Sequence, residues 1–233
     1  MSKFLRTEAL LGESAMKKLK SSRVIVFGVG GVGGYVVEAL ARSGVGNIDL
    51  VDPDTVAESN INRQIIALES TVGRAKTDVM RERIREINPD ASVQTFNIFY
   101  TPENADSIDL SCYDYIVDAI DTVPAKIELI TRARALSIPI ITSMGFGNKL
   151  DPTMVEVADI SKTSVCPLAR AMRRLLRDKG ILHVKAVYSK ETPTTPACPL
   201  DSSGKPTVAS VAFVPSVAGL VIASEVIKDL IKE

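Results

Sequence analysis

The sequence predicts an α/β fold with a Rossmann-like, doubly wound and mostly parallel sheet, followed by a C-terminal extension. Over residues 1–150, short apolar runs alternate with amphipathic helical segments. A glycine cluster directly follows the first apolar run and opens a helical segment. Parallel strands need long crossover connections, usually helices, so this alternation indicates a parallel sheet and not a series of hairpins.

Strands are predicted where apolar runs are bounded by charged or turn residues, and helices where apolar residues recur on one helical face. The predicted strands of the first half are residues 23–27, 47–52, 92–97, 113–119 and 139–142. The predicted helices of this half are residues 10–19, interrupted by Gly12, and residues 35–43, 77–87 and 125–136. After about residue 144 the pattern loosens, with strands at 153–159 and 184–189, helices at 168–179 and 214–232, and a mobile Thr-, Pro- and Ser-rich loop at 189–206.

Composition excludes few functions by itself. Lys plus Arg and Asp plus Glu both number 28, so net charge indicates no class of partner. The first 20 residues are polar and charged, and the most apolar stretch, residues 208–223, is shorter than the roughly 20 residues that a bilayer needs. We therefore expect no membrane contact. Cys112, Cys166 and Cys198 form no CxxC pair, which favours the reducing cytoplasm and argues against structural zinc.

The glycine cluster predicts a nucleotide site. Gly28, Gly30, Gly31 and Gly33 follow a predicted strand and precede a predicted helix. Glycines permit a tight turn and let backbone N–H groups approach phosphates, while the helix N-terminus adds partial positive charge. Asp52 ends the next predicted strand, where a carboxylate usually holds ribose hydroxyls.

This loop alone does not separate NAD from ATP, but the following residues favour ATP. Three phosphates need fixed cations, and Arg63 and Lys76 follow in one short segment. Asp121 comes at the carboxyl end of a predicted strand, where ligands bind in open α/β sheets. A carboxylate facing polyphosphate needs a cation between them, so Asp121 is a candidate Mg²⁺ ligand. Alternatively Asp121 is the N-cap of the next helix, although Thr122 could take that position.

A basic stripe in the second half indicates RNA. Between residues 161 and 190 Asp178 is the one acidic residue among many Lys and Arg residues. The stripe has the spacing i, i+3, i+4 and i+7 of one helix face and consists of Arg170, Arg173, Arg174 and Arg177. A cationic face of this kind suits a phosphate backbone, although charged helix faces are often merely solvated.

Taken together, these motifs resemble the ubiquitin-activating-enzyme-like adenylating family of the ThiF/MoeB type. The matching positions run in order along the first half: residues 28–33, Asp52-x-Asp54, Asn60-x-Asn62-Arg63-Gln64, Lys76 and Asp118-x-x-Asp121. The resemblance implies a carboxylate-adenylating enzyme that uses ATP and Mg²⁺. One ATP-binding adenylating domain would then cover residues 1–233, with a nucleotide-binding core at 1–150 and a substrate-binding extension at 151–233.

The resemblance also implies roles for individual residues. Asp52 would hold the ribose, with Asp54 beside it, and Asp121 would ligate Mg²⁺. Catalysis would rest on the charges of Arg63, Lys76 and Asp121. The residues implied at the phosphates are Asn60, Arg63 and Lys76, with Gln64 supporting their loop. Arg6 is similar to a family arginine that reaches into the neighbouring subunit's nucleotide site, which implies a homodimer.

Further segments resemble one branch of this family. They are residues 6–19, 36–44, 87–89, 159–168 and 215–228. That resemblance implies tRNA as the partner: the threonyl carboxylate of a modified adenosine beside the anticodon would be adenylated and then closed to a ring with loss of water. No protein nucleophile is needed for such an intramolecular closure.

Three other interpretations stay open at this point. The first is adenylation of a small ubiquitin-like sulfur-carrier protein, for which Cys166 or Cys198 could form a thioester, although the paired CxxC motifs of such enzymes are absent. The second is an NAD-dependent oxidoreductase, with His183 as the one convincing acid. The third is a nucleotide-sensing scaffold that docks a sulfur-transfer partner from a cysteine desulfurase system.

Overall fold

The computed structural model describes residues 2–198, 200, 204 and 208–232, which contain a seven-stranded sheet with the order β3-β2-β1-β4-β5-β7-β6. The strands are β1 (Arg23–Phe27), β2 (Asn47–Val51), β3 (Thr95–Phe96), β4 (Tyr115–Asp118), β5 (Ile140–Ser143), β6 (Val155–Asp159) and β7 (Lys185–Ser189). Every pairing is parallel except that of β6 with β7. The predicted fold class is therefore confirmed.

Helices cover both faces of this sheet. They are α1 (Leu5–Leu11), α2 (Glu13–Ser21), α3 (Gly33–Arg42), α4 (Lys76–Ile87), α5 (Val123–Ala135), α6 (Pro167–Asp178) and α7 (Phe213–Ile231). One apolar core lies mainly beneath α3, α4 and α7, and a second lies beneath α5. α3 and α7 pack closely because Gly219 has no side chain: a Cβ there would stand 2.4 Å from the Val32 carbonyl oxygen.

Two predicted elements are wrong in extent. The helix predicted at residues 10–19 extends over Leu5–Ser21, and it is interrupted at Gly12 as predicted, where a φ of 87° separates α1 from α2. The strand predicted at 92–97 forms only over Thr95–Phe96. The Gln94 N–H, just before it, donates to the buried carboxylate of Asp49, and Ser92 forms only an isolated bridge.

Residues 151–232 add to the same sheet where they are described. β7 pairs with β5, β6 pairs with β7, and α7 packs against α3. The predicted loop at 189–206 contacts the segment after β5 at Thr194, whose N–H donates to the Asn148 carbonyl at 2.7 Å. Residues 199, 201–203 and 205–206 of that prediction lie outside the described residues. Among the described helices, none combines the length and apolar character needed to cross a bilayer.

β1 lies between β2 and β4. From β1 the chain adds β2 and β3 on one side of the sheet and then returns to add β4 and β5 on the other, so the strand order reverses between β1 and β4. In doubly wound sheets the crevice at such a reversal is the usual ligand site. The carboxyl ends of β2, β1, β4 and β5 carry the segments that contain Asp52, the glycine loop, Asp121 and Ser143. The fold thus gathers the predicted site residues at one edge.

Candidate active site

A cleft of about 730 Å³ opens at this edge of the sheet. It is lined by most of the predicted nucleotide-binding residues: Gly28, Gly30, Gly31, Asp52, Asp54, Asn60, Arg63, Gln64, Lys76 and Asp121. A volume in this range is typical of small-molecule and cofactor sites. Two predicted residues, Gly33 and Arg6, do not line the cleft.

The glycines of the loop have different tasks. Gly28 has a φ of 88°, and a Cβ there would stand 2.6 Å from the Ala119 carbonyl oxygen. A Cβ on Gly33 would stand 1.8 Å from the Gly28 carbonyl oxygen, so Gly33 serves the turn itself. At Gly30 the nearest atom to a Cβ would be the Gln64 side-chain nitrogen at 3.9 Å. Gly30 therefore leaves open space that faces the cleft.

Asp52 ties the end of β2 to the glycine loop. Its carboxylate accepts hydrogen bonds from the N–H of Val29 at 2.6 Å and of Asp54 at 2.9 Å. The side chain is buried, and this burial raises the pKa of the Asp52 carboxyl despite the nearby cation of Lys76. The carboxylate fixes the loop in the shape that exposes its N–H groups, a role that the sequence does not reveal.

Lys76 is the first residue of α4 and is only 6% exposed. Its Nζ lies 2.7 Å from Asp54 Oδ2 and 3.8 Å from Asp52 Oδ1. The Asp54 side chain is 62% exposed, so its carboxylate can leave the pair without being stranded in the interior. A buried ammonium held at the edge of a cleft is a preorganised site for an anion that competes with Asp54.

The turn that contains Asn60, Arg63 and Gln64 packs beside the glycine loop, since a Cβ on Gly31 would stand 3.4 Å from Arg63 Cγ. Arg63 Nη1 donates to the Ser59 carbonyl at 2.9 Å and to Asn62 Oδ1 at 2.8 Å, which holds the guanidinium in place. Asn60 Oδ1 accepts the Ala57 N–H at 3.1 Å and closes the turn. The Gln64 side-chain oxygen is buried and has no hydrogen-bond partner among the described residues. Such an atom is costly unless a ligand or water satisfies it.

Asp121 stands in the segment between β4 and α5, and its side chain is exposed to the cleft. The alternative interpretation of Asp121 as a helix N-cap is wrong, because α5 begins at Val123 and Thr122 is its N-cap residue. The Thr122 hydroxyl caps nothing and is buried without a partner among the described residues. Those residues also contain no group of three or more His, Cys, Asp and Glu that could hold a metal ion.

Comparison with known proteins shows the family of the chain. The pattern of the ThiF family matches residues 4–233. The chain belongs to the ThiF family. A ThiF-family relative, the tRNA threonylcarbamoyladenosine dehydratase of Bacillus subtilis (strain 168), is 44% identical over 241 residues, which are 99% of this chain and 95% of that protein.

Solved structures agree with this membership. The Escherichia coli tRNA N6-threonylcarbamoyladenosine dehydratase TcdA in complex with AMP superposes with a TM-score of 0.90 and 39% identity, over 98% of this chain and 93% of that one. The same E. coli protein in complex with ATP gives a TM-score of 0.87 with the same identity and coverage. The resemblance drawn from the motifs is thereby confirmed at the level of the family and the fold.

In this ThiF-family chain, the sequence reasoning missed one central residue, Lys126. Lys126 lies on the buried face of α5, and its Nζ contacts both carboxylate oxygens of Asp118 at 3.0 Å and the Ser143 carbonyl oxygen at 2.8 Å. Thr142 donates its hydroxyl to the same carboxylate at 2.6 Å. The available signal was a lone lysine within an otherwise apolar helical face.

Three of the four arginines of the predicted basic stripe are exposed on α6. Arg170, Arg174 and Arg177 are exposed on α6 and form no ion pair among the described residues. Arg173 is partly buried, and its guanidinium donates to the Thr163 carbonyl at 2.9 Å and to the Thr163 hydroxyl. It therefore anchors the segment before α6 and has less freedom to contact a ligand. Leu168, near the start of the same helix, lines the cleft, so the stripe begins beside it.

The remaining candidates lie outside the cleft. Arg6 is exposed on α1, beside a second cleft near Phe4 and Gly44. Arg6 does not line the nucleotide cleft of its own chain. An arginine that acts in the cleft of a neighbouring subunit has to be placed in this way. His183 is exposed, with Nδ1 3.2 Å from Asp159 Oδ2. Cys166 is buried, whereas Cys112 and Cys198 are exposed, and none forms a disulfide.

Proposed function

We propose that this protein binds ATP in the cleft and uses it to adenylate the threonyl carboxylate of threonylcarbamoyladenosine in tRNA, which then cyclises. The observation that carries the proposal is the meeting of a glycine loop, a buried Lys76 and an exposed Asp121 around one cleft. The ThiF family membership and the names of the relatives support the substrate. The exposed arginines of α6, which begins at the same cleft, supply the positive surface that tRNA needs.

The empty space and the polar atoms of the cleft fit ATP. Gly30 leaves room for a phosphate against the backbone, and the first turn of α3 directs N–H groups and partial positive charge to the same place. Arg63 and Lys76 line the same cleft and bring two cations to it. Gln64 offers a buried side-chain oxygen that lacks a protein partner among the described residues. Asp52 stands at the end of β2, where the ribose of a Rossmann-bound nucleotide lies.

The proposed reaction has two steps. A carboxylate oxygen of the substrate attacks the α-phosphorus of ATP, and pyrophosphate leaves with the electrons of the broken bond. Arg63 and Lys76 stabilise the charge that develops on the phosphates, a preorganised electrostatic effect. An amide oxygen or nitrogen of the same modified nucleoside then attacks the acyl carbon, the amide N–H loses its proton, and AMP leaves with the former carboxylate oxygen. The nucleoside ends lighter by one water.

The second step needs little from the protein beyond positioning. Attack from within one molecule can reach effective molarities of roughly 10⁵ M. No cysteine is required, and none of the three cysteines is among the described residues that line the cleft. The protein must instead keep the acyl adenylate away from bulk water until the ring has closed.

We propose that Mg²⁺ accompanies ATP and is held by Asp121. Because the described residues offer no cluster of three metal ligands, the phosphates of the substrate would complete the coordination. Magnesium is commonly bound in this way, by one or two carboxylates plus phosphate oxygens. When bound, Mg²⁺ would neutralise phosphate charge during the departure of pyrophosphate.

We also propose that the protein acts as a homodimer in the cytoplasm, where its tRNA substrate is found. Arg6 of one subunit would reach the nucleotide cleft of the other. Its exposure on α1, away from its own cleft, supports this assignment. An Arg6→Ala chain mixed with an Asp121→Ala chain would form one intact site in mixed dimers and regain activity, whereas two independent monomers would not.

Nucleoside mass spectrometry tests the proposed reaction. The protein is incubated with ATP, Mg²⁺ and tRNA that carries threonylcarbamoyladenosine, and the tRNA is digested under mild conditions. The expected result is an ATP-dependent loss of one water from that nucleoside, with one AMP formed per product. An unchanged nucleoside, together with exchange of pyrophosphate into ATP in the presence of a small protein ending in Gly-Gly, would instead support activation of a sulfur carrier.

A further inference from the structure

Neither the backbone conformation nor the neighbouring atoms of the chain require a glycine at position 145. Gly145 follows β5 by two residues and lines the nucleotide cleft. Its φ is not in the left-handed region that favours glycine. A Cβ built on Gly145 would meet no other atom within 4 Å. An alanine would therefore fit this position in the ligand-free chain, and its methyl group would project into open space.

The other glycines show how unusual this is. Of the 14 glycines, all but Gly30, Gly31 and Gly145 have either a positive φ or a neighbouring heavy atom closer than 3.4 Å to where a Cβ would stand. Gly147, two residues later, shows the contrast, because a Cβ there would lie 2.4 Å from Val208 Cγ1. These three glycines all line the same cleft, and Gly145 is the one of them for which a Cβ would meet nothing at all. A glycine at such a position leaves room for close approach of something outside the chain.

The sheet order indicates what approaches Gly145. The strands run β2, β1, β4, β5, so Asp52 after β2 and Gly145 after β5 stand at opposite ends of the cleft. A nucleotide with its ribose at Asp52 and its phosphates at Gly30 extends from β2 towards β4. The end at β5 is therefore left for the group that reacts with the α-phosphate. Val208, which a Cβ on Gly147 would meet, lies at this end of the cleft.

We propose that Gly145 is a specificity-determining residue of the acceptor subsite, against whose Cα the carboxylate-bearing side chain of the modified nucleoside packs. The proposal rests on the proposed function and adds the position that selects the acceptor. Gly30 makes room for the phosphates of ATP, and Gly145 makes room for the acyl group that ATP activates. A methyl group at either glycine blocks one substrate and spares the other.

The variants Gly145→Ala and Gly145→Val test this division. Alanine at an ordinary φ does not strain the backbone, so the thermal midpoint of Gly145→Ala should equal or exceed that of the wild type. A displacement of the acceptor by about 1 Å can slow a reaction on the order of 100-fold. We expect kcat/KM for the modified tRNA to fall on the order of 10- to 100-fold in Gly145→Ala and further in Gly145→Val. The dissociation constant for ATP should stay within about twofold of the wild type.

Gly30→Ala is the matched control, since it adds the same methyl group to the same cleft at the phosphate end. It should raise the dissociation constant for ATP, which can be measured by calorimetry without tRNA. Unchanged kcat/KM in Gly145→Val would overturn the assignment of Gly145, and so would a loss of ATP affinity in Gly145→Ala equal to that in Gly30→Ala. If the wild type forms no cyclic nucleoside, the proposed function fails and this inference fails with it, so the two failures are distinguished by the wild-type reaction.

Discussion

Lys126 and Asp118 form an ion pair that is buried completely, with Lys126 Nζ 3.0 Å from both carboxylate oxygens. The same ammonium donates to the Ser143 carbonyl oxygen at the end of β5, and Asp118 accepts the N–H of Ile120 at 3.2 Å. One buried cation thus joins α5 to the ends of β4 and β5. The segments that follow these two strand ends contain Asp121 and Gly145. The ion pair therefore fixes the part of the cleft that lies between the proposed sites for ATP and for the modified nucleoside.

Removal of this cation should destabilise the whole fold. In Lys126→Met the Asp118 carboxylate stays buried without its partner, and breaking a buried pair in this way costs about 3–5 kcal/mol. Urea unfolding followed by circular dichroism measures the loss. Lys18→Met, which removes a lysine from the exposed side of α2, should change the free energy of unfolding by less than about 0.5 kcal/mol. A similar small change in Lys126→Met would show that Asp118 is neutralised by other means.

Much of the fold could be predicted because parallel strands and their crossover helices leave strong local patterns. After Arg23, the run Val24–Phe27 is apolar and is buried as predicted. β3 could not be delimited, since it has only two residues at a sheet edge and the main-chain N–H before it is held by the Asp49 side chain. The sequence also does not reveal that Asp49 is buried. Side-chain acceptors that shape the backbone from a distance leave no periodic signal.

The site residues that belong to a sequence motif could be predicted. The hydrogen bonds between side chains and distant segments of the chain could not. The cleft gathers Asp52, Lys76 and Asp121, as expected. That Asp52 also holds the Val29 N–H depends on the parallel register of β1 and β2, which spacing alone does not specify. Gly145 carries no motif, and its significance depends on the empty space around it.

Asp121→Ala should slow AMP formation severely while leaving the fold intact. Asp121 is exposed and forms no ion pair among the described residues, so its removal leaves no buried group unsatisfied. Loss of one group that stabilises developing charge typically slows a reaction by about 10²- to 10³-fold. Steady-state AMP formation and the thermal midpoint are measured for the variant and for Glu86→Ala, an exposed carboxylate on α4. A normal rate in Asp121→Ala at every Mg²⁺ concentration would contradict the assignment of the metal.

The α6 stripe should contribute to tRNA affinity through Arg170 and Arg174 and not through Arg173. Both side chains are exposed, whereas Arg173 is held by Thr163. Replacing both by Glu should weaken tRNA binding. The slope of log K against log salt concentration should become shallower by about 1 for each phosphate that the protein no longer neutralises. ATP affinity should not change, because neither residue lines the cleft.

The matched control for the stripe is Arg85→Glu with Lys18→Glu. This pair makes the same change in net charge on α4 and α2, away from α6. Binding is measured by filter retention over a range of salt. An equal loss in both double variants would mean that net charge alone, and not the α6 face, determines the affinity for tRNA.

The contact between α7 and the sheet should make stability depend on acid pH through Asp229. Burial opposes the shift, but hydrogen bonds from Lys185, Lys232 and Tyr115 lower the pKa of Asp229 from 3.8 to about 2. A carboxyl group whose pKa is lower in the folded state stabilises the fold above pH 3.8, and this contribution is lost as pH falls towards about 2. Because the side chain is 18% exposed, we expect on the order of 1–2 kcal/mol.

Urea unfolding of the wild type and of Asp229→Asn at several pH values between neutrality and about pH 2 measures this contribution. The difference in free energy of unfolding between the two proteins should be constant above the usual pKa of 3.8 and should shrink as the pH falls below it, because the asparagine cannot titrate. Asp178→Asn, which removes an exposed carboxylate from the end of α6, should follow the wild-type profile. A difference between wild type and Asp229→Asn that stays constant down to about pH 2 would mean that the hydrogen bonds of Asp229 hold α7 without depending on its charge.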